Sequence, residues 1–273
     1  MRADSIDSFF RVEDRLEYDD DLVRSVLDGA LAAVVFRKYA PTEECEELLA
    51  SFLTNPSTRV RHGDATGRYL GTFHWRKTKE DYLADSDAIV DAVDAIVGRF
   101  GGASSWRKFE ESLRQNLARD GVTLRRATWD GSEVASPLVR AWDGVGEYSL
   151  IPHDDLAQIL DERQRGFEAQ DVASYTSCAA NLCFANGSDG NLVLWDYIPT
   201  REDRVAFGTE LEGGPYPPSA VQGHKRIDVR IGPGDLYIFN GALVHAVGAT
   251  REQRATISTL LGFSSRSTVL LWT

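Results

Sequence analysis

Cysteine is scarce in this sequence. Its three cysteines, Cys45, Cys178 and Cys183, are an odd number, and no two of them form a C-x-x-C pair. A disulfide framework and a cysteine-type zinc site are therefore excluded as the basis of the fold, and we expect three buried, reduced thiols. Such cross-links are not needed, because 273 residues with 42% hydrophobic side chains can bury a sizeable core.

An excess of positive charge is also missing. The chain has 30 basic and 42 acidic side chains, a formal net charge of -12, and its densest basic spot is only Arg125-Arg126. Nucleic-acid binders usually carry a basic patch, and anionic membranes repel an acidic surface. We therefore expect neither nucleic acid nor membrane among the partners of this protein.

Long hydrophobic runs are absent as well. No stretch approaches the ~18 consecutive apolar residues of a membrane-spanning helix. Residues 1–18 are rich in Arg, Asp and Glu where a secretion signal would be apolar. We therefore predict a cytoplasmic protein without a membrane segment.

The first part of the chain, residues 1–121, is predicted to be largely helical. Residues 31–37 read as a buried strand, and Pro41 opens a helix with acidic residues in its first turn. Ser86 is predicted to cap a second helix, and Ser104 or Ser105 a third that ends at Gly121. The apolar residues of the second helix repeat at helical spacing: Ile89, Val90, Val93, Ile96, Val97 and Phe100.

The second part, residues 122–273, has the texture of a β protein. Short β-type segments alternate with Gly, Asp, Asn and Pro, which predicts a jelly roll (double-stranded β-helix) preceded and flanked by helices. No linker separates the two parts, so we expect a single domain over 1–273. The predicted strands are 122–129, 136–142, 146–152, 173–184, 191–197, 227–231, 235–239, 243–248, 254–263 and 268–272.

The first group of candidate ligands is His153-Asp154-Asp155, at the end of a predicted strand. In an extended chain, residues i and i+2 point to the same face, so His153 and Asp155 can converge while Asp154 points away. An imidazole and a carboxylate together suit Fe(II), Mn(II) or Zn(II). Alone, an H-x-D sequence is equally consistent with helix capping or a salt bridge.

The second candidate is His245, which closes the stretch Gly232-Pro-Gly-Asp-Leu-Tyr-Ile-Phe-Asn-Gly-Ala-Leu-Val-His. This stretch predicts a turn, a strand, a hairpin turn at Asn240-Gly241 and a returning strand with His245 in its middle. By itself, such a residue is more often a hydrogen-bonded core histidine than a ligand.

The third feature is Arg254-Ala255-Thr256, in a later strand. Arg254 and Thr256 face the same way, and a guanidinium with a hydroxyl suits a carboxylate because Arg binds both oxygens at once. The simpler interpretation is a surface salt bridge.

In this order, the three features resemble the iron(II)/2-oxoglutarate-dependent oxygenases. The resemblance implies that His153, Asp155 and His245 hold Fe(II) on one face and leave positions for 2-oxoglutarate and O2. It further implies that Arg254, with Thr256 beside it, anchors the distal carboxylate of 2-oxoglutarate, and Arg140 is a further candidate for this cosubstrate.

The resemblance extends to the carrier-independent branch, which acts on amino acids, N-substituted amino acids and alkaloids and includes halogenases. It is carried by Asn191-Leu-Val-Leu-Trp195, the stretch 254–263, the closing Val269-Leu-Leu-Trp272 and, more faintly, Gly71-Thr-Phe-His-Trp75. Halogenases of this branch replace the ligand carboxylate with a small residue. Because Asp155 retains it, the resemblance implies a hydroxylase of a free or N-modified amino acid or a related natural product.

For the substrate, the sequence offers several candidate side chains. Trp142, Trp195 and Trp272 are candidate apolar walls, and Arg140 or His74 a candidate carboxylate ligand, although strand aromatics are more often core residues. Loops 62–76 and 208–226, rich in Gly and Pro, are candidate lids.

Two kinds of alternative stay open. The same metal site serves desaturation, epimerisation, cyclisation or halogenation in related enzymes. In a different class, a cupin-like protein would bind metal without turnover.

Overall fold

The computed structural model describes residues 9–62, 66–142, 147–187, 189–210 and 213–273. Its helices are α1 (Asp20–Leu27), α2 (Thr42–Thr54), α3 (Lys79–Val97), α4 (Ser105–Arg119), α5 (Leu156–Ile159), α6 (Arg201–Phe207) and α7 (Pro218–Val221). Short 3-10 helices span Gly101–Ala103, Glu162–Gln164 and Glu168–Ser174. None of the helices in this part of the chain combines the length and apolarity needed to cross a bilayer.

The strands in chain order are β1 (Val12–Arg15), β2 (Ala33–Phe36), β3 (Arg59–Arg61), β4 (Gly67–Leu70), β5 (Thr123–Arg126), β6 (Thr128–Trp129), β7 (Ser132–Glu133), β8 (Leu138–Trp142), β9 (Tyr148–His153), β10 (Cys178–Ala185), β11 (Leu192–Trp195), β12 (Arg226–Val229), β13 (Leu236–Asn240), β14 (His245–Gly248), β15 (Arg254–Ser265) and β16 (Thr268–Trp272).

These strands form one large and one small sheet, besides the β6-β7 pair. The large sheet has ten strands in the order β1-β2-β13-β10-β15-β8-β4-β3, with β16 pairing with both β15 and β5. The small sheet has the order β12-β11-β14-β9. The described residues thus form a mixed α/β structure built on a ten-stranded and a four-stranded sheet.

The two faces of the large sheet bury different kinds of side chain. Along β10, alternate residues Ala180, Leu182 and Phe184 belong to the main hydrophobic core, together with apolar residues of α1–α4. This is the alternation that a strand imposes, since successive side chains point to opposite faces. The opposite face of the central strands lines a cavity; its residues there include Leu138, Arg140, Trp142, Asn181, Tyr237, Phe239, Arg254 and Ser258.

Many sequence-based expectations for individual elements agree with the structure. Each of the ten predicted β segments contains a strand, although Gly146, at the start of segment 146–152, lies outside the described residues. The predicted strand 31–37 contains β2, and Ser104 caps α4 by accepting a hydrogen bond from the Arg107 N–H. The three cysteines are buried and free, which confirms the expected reduced thiols.

Two expectations are wrong. The second helix begins at Lys79 with Thr78 as its cap, and Ser86 lies inside it, where its hydroxyl donates to the Tyr82 carbonyl. Residues 1–121 contain α1–α4 and, besides the expected strand β2, supply β1, β3 and β4 to the large sheet. Asn240-Gly241 is not a hairpin turn, because β13 lies in the large sheet and β14 in the small one.

Candidate metal centre

The site is built on a cross-strand pair of histidines. His153 is the last residue of β9, His245 is the first of β14, and the two are register partners. Their ring centroids are 4.2 Å apart. Two distant parts of the sequence thus place one imidazole each at the same point of the small sheet.

Both imidazole rings are fixed in the same way. Nδ1 of His153 lies 2.8 Å from the Ile151 carbonyl oxygen, and Nδ1 of His245 lies 2.8 Å from the Leu243 carbonyl oxygen. A carbonyl only accepts, so Nδ1 carries the proton in each ring and Nε2 keeps its lone pair. This is the tautomer that a metal ligand requires.

Asp155 completes the group, but not through an extended chain. The strand ends at His153, and Asp155 has right-handed helical backbone angles, with φ -83 and ψ -15. Its N–H donates to the Gly241 carbonyl at 2.9 Å. The i, i+2 strand geometry assumed from the sequence is therefore wrong, although the side chain still reaches the two histidines.

The three side chains have the spacing of a metal site. Oδ1 of Asp155 lies 3.8 Å from Nε2 of His153, and Oδ2 lies 3.6 Å from Nε2 of His245. One possible ligand atom from each of the three residues falls within 4.8 Å of the others. Because each ligand lies about 2.0–2.2 Å from a bound transition metal, atoms at such separations can share one ion.

Burial sets the charge state of this group. It lowers the pKa of His153 and of His245 to about 4, with His245 adding to the effect at His153. Burial also raises the pKa of Asp155 to about 6, against the opposing influence of His153 and Arg140. Near neutral pH the group thus offers two uncharged imidazoles and one poorly solvated carboxylate, which a cation would stabilise.

Asp154 points away from this group and is fully buried. One of its carboxylate oxygens accepts from Nη2 of Arg204 at 2.9 Å and from the Ala157 N–H at 3.0 Å. The other accepts from the Tyr216 hydroxyl at 2.7 Å. Asp155, and not Asp154, therefore faces the histidines.

Gly241 allows the close approach of Asp155. A Cβ atom at this position would lie 2.6 Å from Oδ2 of Asp155. The chain crosses from the large sheet to the small sheet here, and a bare backbone leaves room for the carboxylate.

The three residues line a cavity that is partly open to solvent. The cavity lies between the small sheet and the face of the large sheet opposite the helices, and Arg140, Trp142 and Arg254 also line it. Concave sites with apolar walls and a few charged groups are typical of small-molecule binding.

Arg254 is a fully buried cation in this cavity. Its Nη2 donates to the Tyr237 hydroxyl at 2.8 Å, and its guanidinium lies 4.9 Å from the centre of the Trp142 ring. Within the described part of the chain, its Nε and Nη1 have no hydrogen-bond partner, nor does the buried hydroxyl of Thr256. Buried polar groups without partners are unfavourable, so these donors fit an anionic ligand.

Arg140 is a second guanidinium in the cavity. It is the register partner of Thr256, and it lies 4.6 Å from the centre of the Trp142 ring. Burial lowers its pKa to about 10, so it remains a cation at neutral pH. Its Nε also has no hydrogen-bond partner among the described residues.

The remaining predicted substrate residues divide into two groups. Trp142 and His74 line the cavity. Trp195 packs in a separate apolar cluster with Val244, and Trp272 in another with Tyr82; the structure places neither in the lining of this cavity.

His74 is an uncharged ring. Burial lowers its pKa to about 4, and Nδ1 lies 3.1 Å from the main-chain oxygen of Thr273. Nδ1–H of this neutral ring donates to Thr273, and Nε2 is buried without a hydrogen-bond partner among the described residues.

The predicted lid loops contribute Phe73, His74, Trp75, Gly214 and Pro215 to the cavity wall. Residues 63–65 and 211–212 of these loops lie outside the described residues.

Sequence reasoning missed several residues of the site. Tyr237 stands in the quoted stretch before His245, and its alternation with Phe239 on one strand is the signal that would have identified it. Arg204, Tyr216 and Gly241 carry no comparable signal, because their roles depend on contacts with His153-Asp154-Asp155.

No protein-family model matches the chain. An L-isoleucine 3(1)-dioxygenase of Pantoea ananatis is 26% identical over 246 residues, covering 88% of this chain and 82% of that protein.

Among solved structures, an N-substituted L-amino acid dioxygenase of Burkholderia ambifaria has a TM-score of 0.63 at 13% identity, over 93% of this chain and 91% of that one. Its complex with alpha-ketoglutarate has a TM-score of 0.59 at 14% identity, with the same coverage. At such low identity the likeness establishes a shared fold.

The close approach at Gly241 leads to a prediction. Gly241→Ala should force the Asp155 carboxylate to turn and weaken Co(II) binding by about 10-fold or more, the size of effect known for groups that orient a ligand. Anaerobic titration followed by the visible Co(II) spectrum measures it. Gly102→Ala is the matched control, because a Cβ there meets nothing within 4 Å. Equal affinity in both variants would contradict the assigned role of Gly241.

Proposed function

We propose that this protein, a member of the iron(II)/2-oxoglutarate-dependent oxygenases, hydroxylates a free or N-modified amino acid or a related small natural product. The reaction consumes O2 and 2-oxoglutarate and yields succinate and CO2. One observation carries this proposal: a fully buried, incompletely paired Arg254 shares a cavity with a ready-made group of two imidazoles and a carboxylate.

His153, Asp155 and His245 are the proposed iron ligands. Two histidines and one carboxylate are the ligand set of non-haem Fe(II) oxygenases, and three protein ligands would leave coordination positions for a cosubstrate and O2. The large sheet and the small sheet, which carries both histidines, are proposed to form a double-stranded β-helix within a single domain over residues 1–273. The fold shared with the Burkholderia dioxygenase supports this arrangement.

Arg254 is the proposed anchor for the distal carboxylate of 2-oxoglutarate, with the Thr256 hydroxyl beside it. Arg140 lies on β8, next to Thr256 of β15, and adds a second positive charge for the same anion. A carboxylate accepts hydrogen bonds from a guanidinium, so the anion would supply a partner for Nη1 or Nε, which have none among the described residues.

When bound, iron and 2-oxoglutarate together supply the oxidising chemistry for attack on a substrate C–H bond. The chain supplies position and enclosure. The two Nδ1–carbonyl hydrogen bonds hold the imidazoles toward the cavity, and Trp142 and Phe239 exclude water from its deep end. The substrate would lie against Phe73, Trp75 and Pro215, nearer the mouth.

The amino-acid substrate class is supported by two relatives, whose names specify L-isoleucine and N-substituted L-amino acids. The retained Asp155 favours hydroxylation over halogenation. We further propose a cytoplasmic enzyme that acts on a small molecule. The acidic composition supports the proposal that neither nucleic acid nor membrane is a partner.

The decisive experiment is a succinate-release screen of the iron-loaded protein over free L-amino acids and their N-acyl derivatives, with product masses determined. A product heavier by one oxygen atom supports hydroxylation, whereas loss of two hydrogens indicates desaturation or ring closure. Unchanged mass with inverted configuration indicates epimerisation. Bound iron without the visible band of the anaerobic 2-oxoglutarate chelate would favour the cupin-like alternative.

The ligand assignment predicts the behaviour of two variants. His245→Ala should abolish succinate formation, because the two remaining ligands are not sufficient to hold the iron. Asp155→Gly should weaken hydroxylation strongly and is the variant in which to look for chloride incorporation. Succinate assays with each substrate that the screen identifies measure both effects. Retained turnover in His245→Ala, or unchanged hydroxylation in Asp155→Gly, would remove that residue from the metal site.

The cosubstrate assignment predicts that Arg254→Met raises the Kd for 2-oxoglutarate at least ~30-fold. This follows from the ~2 kcal/mol or more lost when one partner of a buried, hydrogen-bonded charge pair is removed. The visible chelate band in anaerobic Fe(II) protein reports the Kd without any substrate. Arg251→Met, at an exposed position three residues away, is the control. Tight 2-oxoglutarate binding in Arg254→Met would place the anchor elsewhere.

A further inference from the structure

Residues 153–155, which we call the metal loop, contact a buried polar cluster on the side away from the cavity. It consists of Asp154, Arg204 and Tyr216, which we call the clamp. Asp154 is 0% exposed, Arg204 6% and Tyr216 3%. The clamp contains no proposed metal ligand, yet its Asp154 stands between His153 and Asp155 in the sequence.

The clamp fixes the Asp154 carboxylate by four hydrogen bonds. Arg204 donates from Nη2 at 2.9 Å and from Nε at 3.3 Å, the Tyr216 hydroxyl donates at 2.7 Å, and the Ala157 N–H donates at 3.0 Å. If Asp154 turned toward the cavity, Arg204 would remain buried without its ion-pair partner, which is strongly unfavourable. Of two adjacent carboxylates, only Asp155 is thus available to a metal.

Main-chain contacts join the same elements. The Asp154 N–H donates to the Gly213 carbonyl at 2.7 Å, and the Tyr216 N–H donates to the Pro152 carbonyl at 2.9 Å. The two segments approach so closely that a Cβ at Gly213 would lie 2.1 Å from the Asp154 carbonyl oxygen. The metal loop and residues 213–216 are therefore joined by main-chain hydrogen bonds and by the side-chain hydrogen bond from Tyr216 to Asp154.

This contact reaches the cavity through Gly214 and Pro215, which line it. A Cβ at Gly214 would lie 2.7 Å from the Cβ of His153. A shift of residues 213–216 would consequently move both a wall of the cavity and the surroundings of a proposed ligand.

We propose that the clamp is a positioning device with two tasks: it selects Asp155 as the metal ligand and holds the Gly214-Pro215 wall at a fixed distance from the metal. This inference rests on the proposed function, because it assumes that a metal binds His153, Asp155 and His245. Asp154, Arg204 and Tyr216 are positioning residues; none of them contacts the metal or the substrate.

The test compares Asp154→Asn and Tyr216→Phe with the wild-type protein. The expected result is Co(II) affinity lowered 10- to 100-fold in Asp154→Asn, the range known for residues that orient metal ligands, and a smaller loss in Tyr216→Phe. The visible Co(II) spectrum should change in the same variants. In the iron-loaded enzyme, the ratio of succinate to hydroxylated product should rise, because the substrate wall is less fixed.

Asp228→Asn is the matched control. Asp228 forms an ion pair with Arg226 on β12, in the small sheet that also carries His153 and His245. Both side chains of this pair are 45% exposed. This variant should leave Co(II) affinity and product ratio unchanged. Arg204→Lys keeps the charge and should recover part of the affinity that Arg204→Met loses.

A double variant separates positioning from stability. Asp154→Leu combined with Arg204→Met removes both buried charges, so the metal-free protein should keep a Tm near that of Asp228→Asn, since apolar replacements of buried ion pairs are often neutral. Its Co(II) affinity should nevertheless stay at least ~10-fold low.

Wild-type Co(II) affinity and spectrum in the folded Asp154→Asn and double variants would overturn the inference. If either does not fold, Tyr216→Phe decides, because it removes a single hydroxyl group. A wild-type protein that binds no Co(II) or Fe(II) would instead reject the proposed function itself.

Discussion

The pairing of β9 with β14 is the interaction on which the rest of the site depends. It places His153 opposite His245, and each ring is held in place by a hydrogen bond to the carbonyl two residues earlier in the chain. A shift of this pairing by one residue would send one imidazole to the other face of the sheet. The remaining parts of the site, Asp155, its glycine neighbour and the clamp, are arranged around this fixed pair.

The two faces of the large sheet have different roles: one packs in the hydrophobic core, and the other lines the cavity. One face packs against helices through apolar side chains, and the other face buries two guanidinium groups, a hydroxyl and a phenol. Arg254 and Arg140 both lie within 5 Å of the centre of the Trp142 ring, at 4.9 Å and 4.6 Å, so a single aromatic side chain contacts two cations. The placement of both cations follows from strand alternation on β8 and β15.

The sequence predicted those features that depend on short-range periodicity. Every predicted β segment contains a strand, and the candidates His153, Asp155, His245 and Arg254 all line one cavity. Features set by long-range pairing were not predictable in the same way: β1–β4 join the large sheet through partners far along the chain. The crossing at Gly241 looked like a hairpin because Asn-Gly is a common turn sequence. Trp195 and Trp272 alternate as expected in strands, but the alternation does not tell which side faces the cavity.

The burial of Arg254 also bears on what leaves the enzyme. Succinate retains the carboxylate that Arg254 is proposed to hold, but it lacks the keto group through which 2-oxoglutarate would chelate the metal. The product should therefore remain attached at its far end after its grip on the iron is lost, and other short dicarboxylates should compete for the same guanidinium. If Arg254 holds this carboxylate, turnover would depend on the concentrations of competing dicarboxylates as well as on that of 2-oxoglutarate.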